Sequence, residues 1–533
     1  MILGSANFLN FFFFLSLILP LFLLMTTEDN ATNSNNNEQY IYRNVKSYQV
    51  LQRSRKTNTA LVDLNNGQPL LELGVGGPYQ VGNASQVMVG DIWILAGQSN
   101  MRGFGFFNNY DKQVPCHVFQ SNESWGLVYN NQPVHQIASS PRQVHHMYSD
   151  PTVSDPNLVF SRGASLAPFF AEQYQHQLHI PVGLVPCAHG GVDIQKWMKQ
   201  QQDDDNNTSQ TTLYGAMIDK INLVAGGQPK GILWYQGESD AVNWTSAQQY
   251  YDHFTLWLQQ LQHDLPKDTL FIYAQIGHTA YIASSLDTKN KLDQGWSLVR
   301  QAQIDVFQQQ EQRKNNTLLT SLVSTIDTEL DDFVHLSANA SRKIGYRMAN
   351  AAISLIQRQE VEKDDYESTI IYGNRVTMNH TPYNNGRNWI HTLRIGFYFN
   401  GSKRPKWRRT TSLTKVTTND NEEDDDDELD LIPINGFTLH DTQQPNNPLD
   451  GFIYSVRITK DHNVDLYLTE AGYQNMLKHA AQGKQYVVWY GYGQNPQCNL
   501  MTTSNIAALA FGPLPVNVTS LPRLSHGGQS NIE

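Results

Sequence analysis

The chain has 533 residues, 40% hydrophobic and 11% aromatic, enough apolar material for a sizeable core and for two to four domains at roughly 150 residues each. Its 38 basic and 49 acidic residues give a formal charge of −11, which excludes a globally basic nucleic-acid binder. The three cysteines, Cys116, Cys187 and Cys498, are too few for a four-thiolate zinc cluster or a disulfide-built scaffold and allow one bridge at most.

At the front, Phe8 to Met25 is an apolar run broken only by Asn10, Ser16 and Pro20, with no charge before Glu28. A signal peptide over 1–26 is expected. The alternative is a retained anchor, because no Lys or Arg precedes the run and it is nearly long enough to span a bilayer. Membrane association is expected only in that second case. Triplets of the form N-x-S/T at Asn30, Asn83, Asn122, Asn206, Asn207, Asn243, Asn315, Asn339, Asn379, Asn400 and Asn517 join the leader in pointing to a secreted glycoprotein or to a lysosomal or other endomembrane lumen. Residues 27–40 are polar and of low complexity, and are expected to form a linker.

Over 41–90, short alternating stretches divided by NNG and GGP turn signals predict a small N-terminal β region. From 91 to 360 the pattern changes. Continuous apolar runs recur at 92–99, 180–191, 232–239, 270–278 and 318–325, each closing on Gly or a polar residue. Between them lie helical faces such as Tyr251, Phe254, Trp257, Leu258 and Leu261, then Val299, Ala302 and Val306, then Ile344, Met348, Ala352 and Leu355. Buried strands alternating with amphipathic helices predict a doubly wound, three-layer α/β domain with a parallel sheet. After Glu362 a period of two returns in HTLRIGFYF, GFIYSVRI, VDLYL and KQYVVWYGY, so a C-terminal β domain is expected over 361–525, before a short tail at 526–533. It is interrupted at about 401–430 by a charge-segregated stretch, KRPKWRR followed by nine acidic residues between Asp420 and Asp430, which is expected to be a flexible, solvated insertion.

In an open parallel sheet the working crevice lies beyond the carboxyl ends of the strands. The first run closes on Gly97-Gln98-Ser99-Asn100-Met101, where a serine hydroxyl can stand clear of the backbone, although a helix cap is the plainer role for such a serine. A serine nucleophile needs an imidazole to take its proton and a third group to hold the ring. Asp332-Phe333-Val334-His335 follows the last strand, and its three-residue spacing lets the carboxylate reach Nδ1 and leaves Nε2 free for Ser99. An oxyanion hole needs fixed donors, for which the Ser99 amide, the Gly163 N–H in SRGASL and the Gln236 side chain in WYQGESD are candidates. Glu238 and Asp240 offer a rival reading as a glycosidase-type carboxylate pair. Neither a metal nor an organic cofactor is expected.

The strings GQSNM, RGASL, LWYQGESD and D-x-x-H, in that order, resemble the blocks of the SGNH hydrolase superfamily, specifically its carbohydrate acetylesterases with Gln-Gly-Glu-Ser in the third block. IPVGLVPCAHGGVDIQKW is similar to the plant acetylxylan esterase-like branch, whereas VGDIWILAGQSNM and VVWYGYGQNPQCNLMTTSNIAALAF resemble sialate O-acetylesterase. PCAHGG stands where the sialate branch has Ser-Ser-Trp-Gly-Gly. The resemblance implies a serine esterase that removes O-acetyl groups from a sugar or glycoconjugate, sialate-type first and acetylxylan-type as the alternative, with a catalytically silent glycan-binding protein as the rival from another class. It also implies Ser99 as nucleophile, His335 as general base and then acid, Asp332 as its orienting partner, and Ser99, Gly163 and Gln236 as oxyanion donors. His189, Glu238 and Trp197 are the candidates for lining the sugar cleft. His189 is equally a loop histidine and Trp197 equally a core aromatic.

Overall fold

The computed structural model describes residues 39–107, 114–135, 162–199, 212–313, 318–360, 369–383, 388–400, 406–408 and 433–520. The leader, nearly all of the linker, the tail, most of the charged insertion and the triplets at Asn30, Asn206, Asn207 and Asn315 lie outside them.

The spine of the fold is one 14-residue strand, Ala84–Gly97. Its first half alternates between buried and partly exposed positions, and from Val89 onward every residue is buried. The change of period marks a change of neighbours. The first half pairs with Val50–Gln52 and Gly76–Val81 of the N-terminal β region, and the second half enters the parallel sheet. The expected boundary at 91 therefore falls inside a continuous strand. A second small sheet, Ile41–Arg43, Thr59–Asp63 and Leu71–Gly74, completes the N-terminal region around its own apolar cluster.

The central sheet runs in the order Leu319–Val323, Leu270–Ala274, Gly231–Tyr235, Ala84–Gly97, Val182–Pro186, Pro115–Phe119 and Trp125–Tyr129, parallel except for the last, antiparallel edge strand. Ala84–Gly97 is the point where the chain changes direction across the sheet, with Val182–Pro186 on one side and Gly231–Tyr235 on the other. Crevices at such switch points receive ligands.

Both faces of the sheet are covered, which is why its strands read as unbroken apolar runs. Trp93 packs edge-on against Phe170 at 4.8 Å and Tyr174 at 5.6 Å, fixing helix Ala167–Leu178 to one face beside helix Ala338–Glu360. On the opposite face Trp234 stacks on Trp257 at 4.0 Å, seating helix Trp244–Asp264 beside Leu286–Gln312. The helical faces appear as expected, except that Tyr250 and not Tyr251 is the fully buried tyrosine of its helix. The Asn243 side chain caps that helix, accepting from Thr245 N at 3.0 Å.

The C-terminal β elements share the main core. A four-stranded antiparallel sheet (Ile371–Tyr383, Asn388–Phe399, Val464–Leu468, Ile453–Ile458) and a three-stranded one (Phe437–Asp441, Tyr486–Tyr490, Phe511–Val516) are tied to the α/β part by buried polar side chains. Gln275 exchanges two 2.8 Å hydrogen bonds with the Ala510 backbone, and Arg300 donates to the carbonyls of Gly491 and Gly493 at 3.0 and 2.6 Å. Part of the expected insertion is ordered. Trp407 pairs with Thr502 and is buried against Phe397 at 4.9 Å, because its large apolar ring gains more from the core than from solvent. The Asn400 side chain is likewise buried, its Oδ1 accepting from Thr369 N and Ile370 N at 3.0 Å each. All three cysteines are free thiols. Among the described residues no helix is long and apolar enough to cross a membrane, and no group of three or more His, Cys, Asp or Glu could hold a metal ion.

Candidate active site

Gly97 ends the central strand with φ at +127°, and a Cβ there would meet the Tyr235 carbonyl oxygen at 2.2 Å. Only glycine permits both the turn and that approach. Gln98 N then donates to Tyr235 O at 2.8 Å, and Ser99 opens a four-residue helix, Ser99–Arg102, with its hydroxyl at the sheet's carboxyl edge.

The loop after Leu319–Val323 brings the other groups. Leu330 and Leu336 form a bridge, and Asp331 N donates to His335 O at 2.9 Å, so 331–335 closes into a tight turn. The Asp332 carboxylate fills it. Its Oδ1 accepts from Val334 N at 2.9 Å and His335 N at 2.8 Å, and its Oδ2 lies 2.8 Å from His335 Nδ1. His335 Nε2 lies 2.9 Å from Ser99 Oγ. Ser99, His335 and Asp332 are thus brought together as a connected chain, half-buried at 14% side-chain exposure for His335 and 18% for Asp332. Burial opposes the charge of Asp332, but the His335 ring and the two amides outweigh it and hold the carboxyl well below its ordinary range.

Two further residues complete the frame, and neither was among the expected ones. Arg162 Nη1 donates to Asp332 Oδ2 at 3.0 Å and to Phe104 O at 3.2 Å, with its guanidinium over the Phe104 and Phe106 rings. Asn100 brackets the histidine from behind. Its Oδ1 accepts from Leu336 N at 3.0 Å, and its Nδ2 donates to Val334 O at 3.2 Å and to Glu238 Oε1 at 2.6 Å. The signal for both lay beside residues already singled out, Asn100 directly after Ser99 and Arg162 directly before Gly163. Gly190 is a third: a Cβ on it would stand 3.7 Å from Ser99 Cβ, which places the Cys187-Ala188-His189-Gly190 segment alongside the nucleophile.

The remaining expected site residues divide. Gly163 sits in a bulge between Arg162–Ala164 and Gly105–Phe106, with φ at +128°. Gln236 is fully buried and turned away from the role expected of it: its Nε2 donates to Asp240 Oδ2 and to Val192 O at 3.2 Å, while its Oε1 accepts from Tyr250 Oη at 3.1 Å. The buried Asp240 carboxyl needs donors, and the amide four residues earlier satisfies it. Trp197 is a core aromatic, fully buried and edge-on to Trp234 at 5.1 Å, so the cleft-lining expectation is corrected. The His189 ring is buried in its loop with Nδ1 2.9 Å from Gly190 O, and its backbone N donates to Gly97 O at 3.0 Å. Glu238 is also buried and spends one oxygen on Asn100, so it supports the frame from behind instead of meeting a sugar. Burial pushes the carboxyl groups of Glu238 and Asp240 up to about 7. Asp240 accepts from Ile194 N at 3.1 Å inside the core, which separates it from any carboxylate pair straddling a substrate. Burial also raises the Cys187 thiol, the reverse of what a nucleophilic cysteine requires.

Residues 89–354 match the profile of a family described as carbohydrate esterase, sialic acid-specific acetylesterase. A probable carbohydrate esterase of Arabidopsis thaliana is 28% identical over 287 residues, covering 51% of this chain and 93% of the relative. The sialate O-acetylesterase of Homo sapiens is 24% identical over 181 residues, covering 29% of this chain and 32% of its own length. Among solved structures, a carbohydrate acetylesterase from Xanthomonas citri superposes with a TM-score of 0.53 at 19% identity, over 87% of this chain and 97% of that one, so the two share a fold.

Proposed function

Residues 89–354 belong to the sialic acid-specific acetylesterase family of carbohydrate esterases, and on that premise we propose that this protein hydrolyses O-acetyl esters of carbohydrates through an acetyl-serine intermediate formed on Ser99. The observation that carries the reading is the unbroken contact from Ser99 Oγ to His335 Nε2 at 2.9 Å and from His335 Nδ1 to Asp332 Oδ2 at 2.8 Å. A serine alcohol is a weak nucleophile until a base takes its proton as the C–O bond forms, and only the neutral imidazole can do so. Asp332 keeps the Nδ1 proton in place, so that Nε2 presents its lone pair to Ser99.

In the first step Ser99 Oγ adds to the acetyl carbonyl carbon while its proton passes to His335 Nε2. The tetrahedral oxyanion is met by the Ser99 amide, with the Gly163 N–H as the second donor. On collapse, His335 returns the proton to the departing sugar oxygen. Water enters, gives a proton to the same nitrogen and adds to the acetyl-serine; on collapse the nitrogen returns that proton to Ser99 Oγ as the acyl C–O bond breaks, and acetic acid leaves and ionises to acetate. Gly190, having no side chain, leaves the space beside Ser99 open.

The apolar leader and the N-x-S/T triplets support a secreted or lumenal setting for this chemistry. Between the two sugar classes, O-acetyl sialic acid and acetylated xylan offered side by side, with acetate measured from each, decide which is the substrate. A protein that binds both and releases acetate from neither, nor from an aryl acetate, would be a silent glycan binder, and the proposal would fall.

A further inference from the structure

His335 hands its proton to the leaving oxygen, so the sugar that leaves must lie on the imidazole side of the site, one bond from the atom that Nε2 protonates. What the chain presents on that side is therefore a question about substrate, and the answer rests on the esterase reading above. One face of the His335 ring is backed by the buried Phe104, at 4.3 Å between centroids. On the outer side Phe333, two residues before the histidine, has its ring 6.4 Å away and is 54% exposed. Tyr281, 51% exposed, meets Phe333 edge-on at 6.3 Å, and the neighbouring Ile282 is 90% exposed.

Exposed aromatic rings of this size are costly to leave in water, and the backbone that carries these two is held in place. The Phe333 carbonyl accepts from Thr279 Oγ1 at 2.6 Å and from Ala280 N at 2.8 Å, and Tyr281 N donates to Thr279 Oγ1 at 3.3 Å. The Phe333 turn and the segment after Leu270–Ala274 are thereby locked to one another, and the platform is ready before a ligand arrives, which limits the ordering cost of binding.

We propose that Phe333 and Tyr281 form a stacking platform for a pyranose ring carrying the ester, and that the ring is neutral. The axial C–H face of a neutral pyranose is apolar and matches one exposed aromatic ring, with the second ring edge-on to it and an isoleucine beside them. A sugar carboxylate would meet the carboxyls of Asp331 and Asp332 in this turn, while the two guanidiniums near the site are engaged, Arg162 on Asp332 and the buried Arg102 over the Phe104 ring. The platform thus favours an acetylated neutral polysaccharide over an acidic monosaccharide.

The experiment compares three substrates, ethyl acetate, acetylated xylo-oligosaccharide and O-acetyl sialic acid, in the full-length protein and in Phe333→Ala, Tyr281→Ala and Phe333→Tyr. The expected result is that each alanine change raises KM for the xylo-oligosaccharide at least about fivefold more than KM for ethyl acetate, whose leaving group has no ring to stack, while Phe333→Tyr, which keeps the ring, restores it. The unaltered protein is expected to have a higher kcat/KM on the xylo-oligosaccharide than on the sialic acid. Equal effects on the sugar and the alkyl ester, or none on either, would overturn the platform while leaving the esterase intact. A preference for O-acetyl sialic acid would overturn the neutral-ring assignment. Turnover of ethyl acetate with no acetate from either sugar would overturn the substrate class itself, and the platform with it.

Discussion

Arg162 and His335 donate to the same carboxylate oxygen, Asp332 Oδ2, at 3.0 and 2.8 Å. Two charged or chargeable donors on one oxygen fix the carboxylate plane, while the other oxygen is held by two backbone amides. The orientation of the imidazole is therefore set from a strand and a turn that are distant in sequence, and Asp332 cannot rotate without breaking several bonds at once.

Arg162→Met keeps the aliphatic cover over Phe104 and Phe106 and removes the donor. A hydrogen bond to a charged group contributes about 1.5–3 kcal/mol, so a fall in kcat of roughly ten- to a hundredfold is expected, with KM for a small aryl acetate little changed. Steady-state kinetics on the purified variant check this. A matching rise in KM with kcat intact would instead make Arg162 a substrate-binding residue.

Ser99→Ala is expected to lower kcat by at least about 10⁴-fold while leaving the thermal midpoint within a few degrees, because one hydroxyl at the sheet edge is lost and no core contact goes with it. Rate assays and a melting curve on the same preparation separate the two effects. Substantial residual turnover would remove Ser99 from the mechanism.

Asn100 is expected to behave differently from both. Its single amide joins the turn after Ser99 to the two backbone groups flanking His335 and to Glu238. Asn100→Ala leaves Leu336 N and Val334 O without these buried partners and should cost about 1–3 kcal/mol of stability, together with a loss in kcat as the imidazole drifts from Ser99. Asn100→Asp keeps the Leu336 acceptor but faces Glu238 with a second carboxyl, so its activity relative to the unaltered protein at the same pH should recover as pH is lowered and one of the pair is protonated. Stability and kcat measured together across pH test this, and an alanine variant with normal kcat would show that His335 is held without the brace.

Much of this frame was legible before any coordinates, and the reason is local. Ser99, Asp332 and His335 each close or follow an apolar run, and the three-residue spacing of Asp332 and His335 needs only one turn to bring them into contact. The three-layer sheet was legible because strands covered on both faces cannot alternate. Long-range geometry was not. Nothing in WYQGESD shows that Gln236 turns inward to satisfy Asp240, nor does the loop after PCAHGG show that Trp197 meets Trp234 and Trp257 in the core. The change of pattern at 91 falls inside one strand for a related reason, since one strand carries two burial patterns when its neighbours change midway along it.

The buried pair Glu238 and Asp240 makes stability fall as pH rises from acid to neutral. Burial raises the first from 4.5 and the second from 3.8, both to about 7, so the folded protein holds these two protons more tightly than the unfolded chain does. The sign follows: their contribution to stability is fully present below about pH 4, declines as pH rises through 7 and is gone above it. Asp332, whose carboxyl is depressed, acts in the other direction, stabilising above its unfolded value near 4 and losing that contribution only in strong acid. The melting temperature should therefore be higher in mildly acidic solution, fall as pH rises toward 7 and level off between there and pH 8.5. Asp240→Asn cannot ionise and should flatten that fall, by on the order of 3 kcal/mol between pH 5 and 8.5 relative to the unaltered protein. Chemical denaturation at the two pH values measures the difference. An unchanged slope in Asp240→Asn would mean that this carboxyl is ionised in the folded state, with Ile194 N and the Gln236 amide sufficient to hold its charge inside the core.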